Sequence, residues 1–154
     1  MMRFGALLVL CLFAACGPSS GVRMYATSRL GPGMQADAVQ RLQHMGPTLL
    51  EKGTQFAVFS ERATRMELLL FEDPEASLPA RRFPMERLGN VWALYVEGVG
   101  PGQHYGYVAW GPNWPYDPAW QPGSILGFQK DVDEAGNRFN PNKLLQDPYC
   151  KAIH

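Results

Sequence analysis

An all-β sandwich is the fold class that this sequence of 154 residues predicts. Four runs between Thr54 and Trp110 alternate apolar and polar residues with a period of two. Clusters of turn residues separate the runs, and no long helical period intervenes. Several short strands at such spacing belong to a sandwich. Length and composition agree with one domain, since single domains run to about 100–200 residues, and a hydrophobic content of 46% can fill a core. A complete (β/α)₈ barrel needs roughly 250 residues and does not fit. The 14 Lys+Arg balance the 14 Asp+Glu. That balance argues against nucleic acid or an anionic surface as the main partner, because both call for a surplus of basic residues.

At the N-terminus, Arg3 precedes an apolar run from Phe4 to Ala15. The run is shorter than the roughly 20 residues a spanning helix needs, and it has the layout of an export signal. Phe13-Ala14-Ala15-Cys16 resembles the lipobox of bacterial lipoproteins, with Phe13 where Leu is preferred. The expectation is that residues 1–15 are a lipoprotein-type signal peptide and that Cys16 is lipidated. The protein would then be exported and anchored in the membrane of the cell envelope, with ordinary secretion as the alternative. Cys11 would leave with the signal. Cys150 then stands as the remaining thiol, without a partner for an intramolecular disulfide.

Residues 16–45 read as a tether. Positions 17–33 carry turn residues without apolar periodicity, and Met34–His44 could form a short helix with Met34, Ala38 and Leu42 on one side. The domain proper spans residues 46–154. Its first strand, Thr54–Ser60, sets Phe56 and Val58 against Gln55, Ala57 and Phe59. In Arg65–Phe71, Met66, Leu68 and Leu70 share one face and Glu67 lies on the other. Pro84 confines Arg82–Glu86 to an edge or a bulge. Val91–Val96 and Tyr105–Trp110 complete the set with aromatic and β-branched residues, and the periodicity directs Trp92 into the core.

After Trp110 the strands give out. Gly111–Gly127 holds seven Gly or Pro together with Trp114, Tyr116 and Trp120. A loop longer than about 12–15 residues is usually functional or disordered, and its aromatic payload argues against disorder. The segment beyond it is irregular.

At this point the residues resemble a known family. Gly53-Thr54-Gln55-Phe56-Ala57-Val58-Phe59-Ser60-Glu61-Arg62-Ala63-Thr64-Arg65 resembles the opening strands of the N-terminal domain of isoamylase and glycogen-debranching enzymes. Tyr105-Gly106-Tyr107 with Trp110-Gly111-Pro112 is similar to the next signature. Arg138-Phe139-Asn140-Pro141-Asn142-Lys143-Leu144-Leu145 with Asp147-Pro148-Tyr149 is similar to the last. Asn113-Trp114-Pro115-Tyr116, Gly127-Phe128 and Asp131-Val132-Asp133 are closer to bacterial secreted isoamylase than to the cytoplasmic enzymes. The likeness runs in register over about residues 46–153. It departs at Cys150, where relatives commonly carry Ala, and at Gln146, which interrupts a run of leucines.

The resemblance implies an immunoglobulin-like sandwich of the glycogen-binding-module type, set ahead of the catalytic barrel of a family 13 glycoside hydrolase. Its parent enzymes hydrolyse α-1,6 branch linkages in glycogen and amylopectin with retention, using two carboxyl groups about 5–5.5 Å apart. Those carboxylates belong to the barrel, downstream of every motif quoted, so no catalytic residue carries over to this chain. The implied function is the non-catalytic N-terminal module of a debranching hydrolase. The alternative is a free-standing, surface-tethered α-glucan-binding module. The implied partners are α-glucan or the catalytic barrel.

The candidate contact residues are Trp114, Tyr116 and Trp120, either for glucan or for packing on the barrel, where aromatics are also enriched. No cofactor or metal is expected. His44, His104 and His154 lack ligand spacing. Asp131–Gly136 opens like a calcium loop but has Ala135 at its fifth position and Asn142 at its twelfth. A turn held by Asp133, Gly136 and Asn137 is the plainer reading. Glu61-Arg62 and Arg81-Arg82 read as solvated turn charges.

Overall fold

A computed structural model describes residues 44–153, together with the backbone of Cys11–Leu12 and Thr27–Ser28. The signal segment, the Cys16 site and the Met34–His44 helix otherwise lie outside the described residues. The strands are β1 (Cys11–Leu12), β2 (Thr27–Ser28), β3 (Gly46–Leu50), β4 (Gly53–Phe59), β5 (Arg65–Phe71), β6 (Arg81–Pro84), β7 (Glu86–Leu88), β8 (Val91–Glu97), β9 (His104–Trp110) and β10 (Ala152–Ile153). One sheet has the order β10-β1-β9-β5-β6, the other β2-β8-β4-β3, and β7 shares the outer edge of β8 with β2. Every pairing is antiparallel. The described residues contain no helix. This is the predicted all-β sandwich.

The period of two decides which side chains meet between the sheets. Phe56 and Val58 of β4, Met66, Leu68 and Leu70 of β5, Trp92, Leu94 and Val96 of β8, and Tyr105, Tyr107 and Ala109 of β9 form one buried cluster. Aromatic rings join its halves, with Phe56 and Tyr105 centroids 4.9 Å apart. Trp92 sits in this core as expected, and its indole N–H donates to the Ser60 carbonyl at 3.2 Å.

Pro84 ends β6 at the sheet edge, where its missing N–H costs no ladder bond. Met85 then carries the chain to the opposite sheet, donating its N–H to the Met66 carbonyl at 3.0 Å before β7 joins β8. Strand β3 was not signalled by periodicity, because Gly46 and Pro47 begin it. Pro47 is tolerated on this edge strand. Gly46 has φ +85°, and a Cβ there would lie 2.8 Å from the Cβ of Tyr149. Thr27–Ser28, within the span read as tether, pairs its backbone with Val96 and Tyr95.

Candidate functional site

The outer face of the β6-β5-β9 sheet is covered by the chain's own C-terminal half. Side chains alternate across a strand, so Trp110 shares its face with Val108 and Gly106 rather than with Tyr105 and Tyr107. With Leu69 and Phe71 of β5, Trp110 and Val108 form a second buried cluster that Trp114 and Trp120 complete from the loop. Trp110, Trp114 and Trp120 are 0%, 5% and 7% exposed. Trp120 and Tyr116 both meet the Trp110 ring edge-on, at 5.1 and 5.2 Å. Trp114 donates its indole N–H to the Leu126 carbonyl at 2.8 Å and stands edge-on to Phe128. Of the three candidate contact residues, Tyr116 alone keeps a substantial exposed surface, at 37%. The loop brings all three together, chiefly as a cover for the sheet beneath.

A charged bracket lies under this cover. Glu67 accepts from Arg65 through Oε1 at 2.8 Å and from Arg82 Nε through Oε2 at 3.0 Å, forming an ion pair with each. The Arg65 guanidinium lies 3.9 Å from the Tyr116 ring centroid, and that of Arg82 lies 5.2 Å from Trp120. Cations over aromatic faces are attracted by the ring quadrupole. Arg82 therefore joins sheet, carboxylate and loop, which corrects its reading as a solvated turn charge. Arg81 is exposed as read. Arg62 also has a role, donating to the Ala135 carbonyl at 2.7 Å and so holding the far end of the loop.

Three polar residues fasten the wrap. Asn113 is fully buried; its amide donates to the carbonyls of Phe139 (2.9 Å) and Lys130 (3.2 Å), and its oxygen accepts the Phe139 N–H at 2.8 Å. Asp133 caps the turn expected there, accepting the N–H groups of Ala135 and Asn137 and the Asn137 amide, with Gly136 at φ +80°. These bonds, the Asn137 side chain first, hold the Asp133 carboxyl below the usual carboxylate range. Asp147 is buried; its Oδ2 accepts from the hydroxyls of Tyr105 (2.9 Å) and Tyr107 (3.3 Å), and its Oδ1 accepts the Tyr149 N–H. Burial pushes the Asp147 carboxyl up, partly offset by those donors. Beside it Leu145 exchanges both backbone hydrogen bonds with Tyr107. Gly106 makes room for this return: a Cβ there would fall 2.7 Å from Leu144.

The wrap leaves a groove of about 560 Å³ between Ser77–Pro79 and the loop residues Pro122–Gly123 and Asn142–Leu144. Leu69, Phe71, Val108 and Trp120 also line it, with Arg82, Lys143 and Gln146 as the polar company. Its loop walls are tied together, since the Asn142 side chain accepts from Gly123 N–H and donates to the Ser124 carbonyl, at 2.8 and 2.9 Å. The buried indole N–H of Trp120 has no hydrogen-bond partner. Sequence reasoning missed this groove and its residues Arg82, Lys143 and Leu78. For the fastening residues Asn113 and Asp147 the available signal was motif likeness, whereas the Asp133 turn was legible from its own residues. Among the described residues no group of three His, Cys, Asp or Glu side chains could hold a metal ion.

Two antiparallel sheets with an aromatic loop wrapped on one outer face define an immunoglobulin-like β-sandwich module. Residues 44–150 match carbohydrate-binding module 48, the isoamylase N-terminal domain, and the chain belongs to that family. It is 48% identical over 108 residues to an isoamylase of Flavobacterium sp, covering 64% of this chain and 14% of that protein. To an isoamylase of Pseudomonas amyloderamosa it is 38% identical over 132 residues, 79% of this chain and 17% of the relative. A glycogen debranching enzyme of Erwinia tasmaniensis is 39% identical over 106 residues, 66% of this chain and 12% of that enzyme. The chain thus spans the N-terminal module of far longer relatives.

Proposed function

We propose that this chain is the α-glucan-binding, non-catalytic N-terminal module of a debranching hydrolase that cleaves α-1,6 branches in glycogen or amylopectin. The observation that carries the reading is the family match over residues 44–150, and the preformed aromatic-walled groove supplies a surface suited to sugar. A glucan ring offers apolar C–H faces and hydroxyl oxygens, which the groove's mixed lining complements. The test is electrophoresis of the purified chain through amylopectin gels, alongside an assay for reducing ends. Retardation without release of reducing ends is expected. Unretarded migration would refute glucan binding, and released ends would refute the non-catalytic role.

A second partner is the catalytic barrel. Ile125, Leu126, Phe128 and Val132 are exposed apolar residues on the loop, and exposed apolar clusters mark contact surfaces. In this reading Tyr116 contributes to that contact from the same loop. The module is further proposed to be exported through residues 1–15 and held at the envelope membrane by lipid on Cys16. The support is the charged, apolar and small-residue order of that segment.

A further inference from the structure

The two sheets differ in what covers their outer faces. The C-terminal wrap closes the face of β5 and β9. On the other sheet, the alternation that sends Phe56, Val58 and Leu94 inward turns Gln55, Ala57 and Ala93 outward. These three are nonetheless 5%, 0% and 1% exposed. Ala57 pairs with Ala93, and Gly46 and Glu86 flank them across the sheet. Gly46 has no side chain with which to cover Ala57, and neither alanine belongs to either buried cluster of the described residues. The Gln55 amide makes no hydrogen bond to a described residue. A polar side chain so buried on this face calls for a partner.

The path of the chain indicates what lies there. Strand order β2-β8-β4-β3 puts Thr27–Ser28 and Gly46–Leu50 on opposite edges of this sheet. Residues 29–45 join the two edges. Neighbouring strands lie about 4.8 Å apart, so the connection spans roughly 14 Å of sheet. The inner face is filled by the core cluster, which leaves the outer face as the direct route. Within the connection Met34, Ala38 and Leu42 recur every four residues, with Asp37 and Arg41 between them. That spacing is one apolar stripe of an amphipathic helix. A helix over Met34–His44 has a length of about 16 Å, close to the width to be crossed.

We propose that the outer face of the β2-β8-β4-β3 sheet is the docking surface for residues 29–45, with Met34, Ala38 and Leu42 set against Ala57 and Ala93 and a polar group of the segment on the Gln55 amide. The domain then begins at Thr27 rather than at Gly46. With lipid on Cys16, as proposed above, the free leash shortens to residues 17–26. Fully extended, that leash reaches about 36 Å at most, which holds the module close to the membrane.

The experiment is hydrogen exchange of the full chain, kept free of lipid by Cys16→Ser and read by mass spectrometry. Peptides covering residues 34–44 are expected to exchange at least about tenfold more slowly than an unstructured chain. Ala93→Glu then sets a carboxylate on the sheet face, and Leu42→Asp sets one on the segment. Each is expected to return residues 34–44 to the unstructured rate while β5 and β9 stay protected. Loss of protection in β5 and β9 would show that Ala93→Glu unfolds the sandwich; Leu42→Asp, which leaves every residue of the described core in place, then decides alone. Unstructured exchange of residues 34–44 in the parent chain would overturn the proposal. Protection that survives either change in a folded chain would overturn it too, by placing the segment elsewhere. Protection that vanishes on dilution, as sedimentation shows dimers dissociating, would make a second copy the cover and equally overturn it.

Discussion

Asn113→Ala should release the loop from the sheet while leaving the sandwich core in place. The Asn113 side chain makes three hydrogen bonds, to the Phe139 N–H, the Phe139 carbonyl and the Lys130 carbonyl, between 2.8 and 3.2 Å. It closes a connection of 26 residues to Phe139. Its removal orphans one backbone donor and two acceptors. Each buried group left unmade costs about 1–3 kcal/mol. Lys130 and Phe139 are only partly buried, so water recovers part of that loss, and a total of about 2–4 kcal/mol follows. Asn113→Asp separates the polar effect from loss of volume. It retains the acceptor for Phe139 N–H but sets a carboxylate oxygen against two carbonyls, so it should cost at least as much at neutral pH. Part of that cost should return in acid, where the protonated carboxyl donates again. Urea unfolding gives the stability, and limited proteolysis at Lys130 and Arg138, both on the wrap, reports the release. An Asn113→Ala protein within about 1 kcal/mol of wild type, cut no faster at those sites, would refute the reasoning.

Trp114→Ala should destabilise the fold by about 3–5 kcal/mol, because it empties a buried aromatic site and orphans the Leu126 carbonyl; an unchanged melting temperature would contradict this. The Asp147 carboxyl is raised by burial, so the folded state holds its proton more tightly than the unfolded chain does. Its contribution is present below the unfolded value, near 4, and is lost as pH rises through the folded value. Asp147→Asn should therefore remove that loss, and the difference in unfolding free energy between variant and wild type should change with pH above about 4; a constant difference would refute it. Cys16→Ser should abolish fatty-acid labelling and membrane partition in a bacterial host, and unchanged labelling would exclude Cys16 as the anchor.

The sequence by itself determined the sandwich. Phe56 and Val58, Met66, Leu68 and Leu70, and Trp92 face the core because alternation along a strand is a local property, visible wherever one face is apolar and the other is not. Pro84 likewise announced an edge, since a missing N–H is a fact of one residue. The Asp133 turn was legible for the same reason. Tertiary structure alone decided the opposite face. In β5 the run Met66–Phe71 is buried on both sides, and period two cannot say what covers the outer one. The loop that covers it comes much later in the chain, and its own fastening joins residues 26 apart, Asn113 to Phe139. Trp110 lies on the outer face of β9, and only the return of Trp114 and Trp120 makes that position a core. The same return set Trp120 over Arg82, whose other partner, Glu67, is supplied by the pairing of β5 with β6. It also left the groove between Ser77–Pro79 and Asn142–Leu144, whose walls come from segments that no local pattern connects.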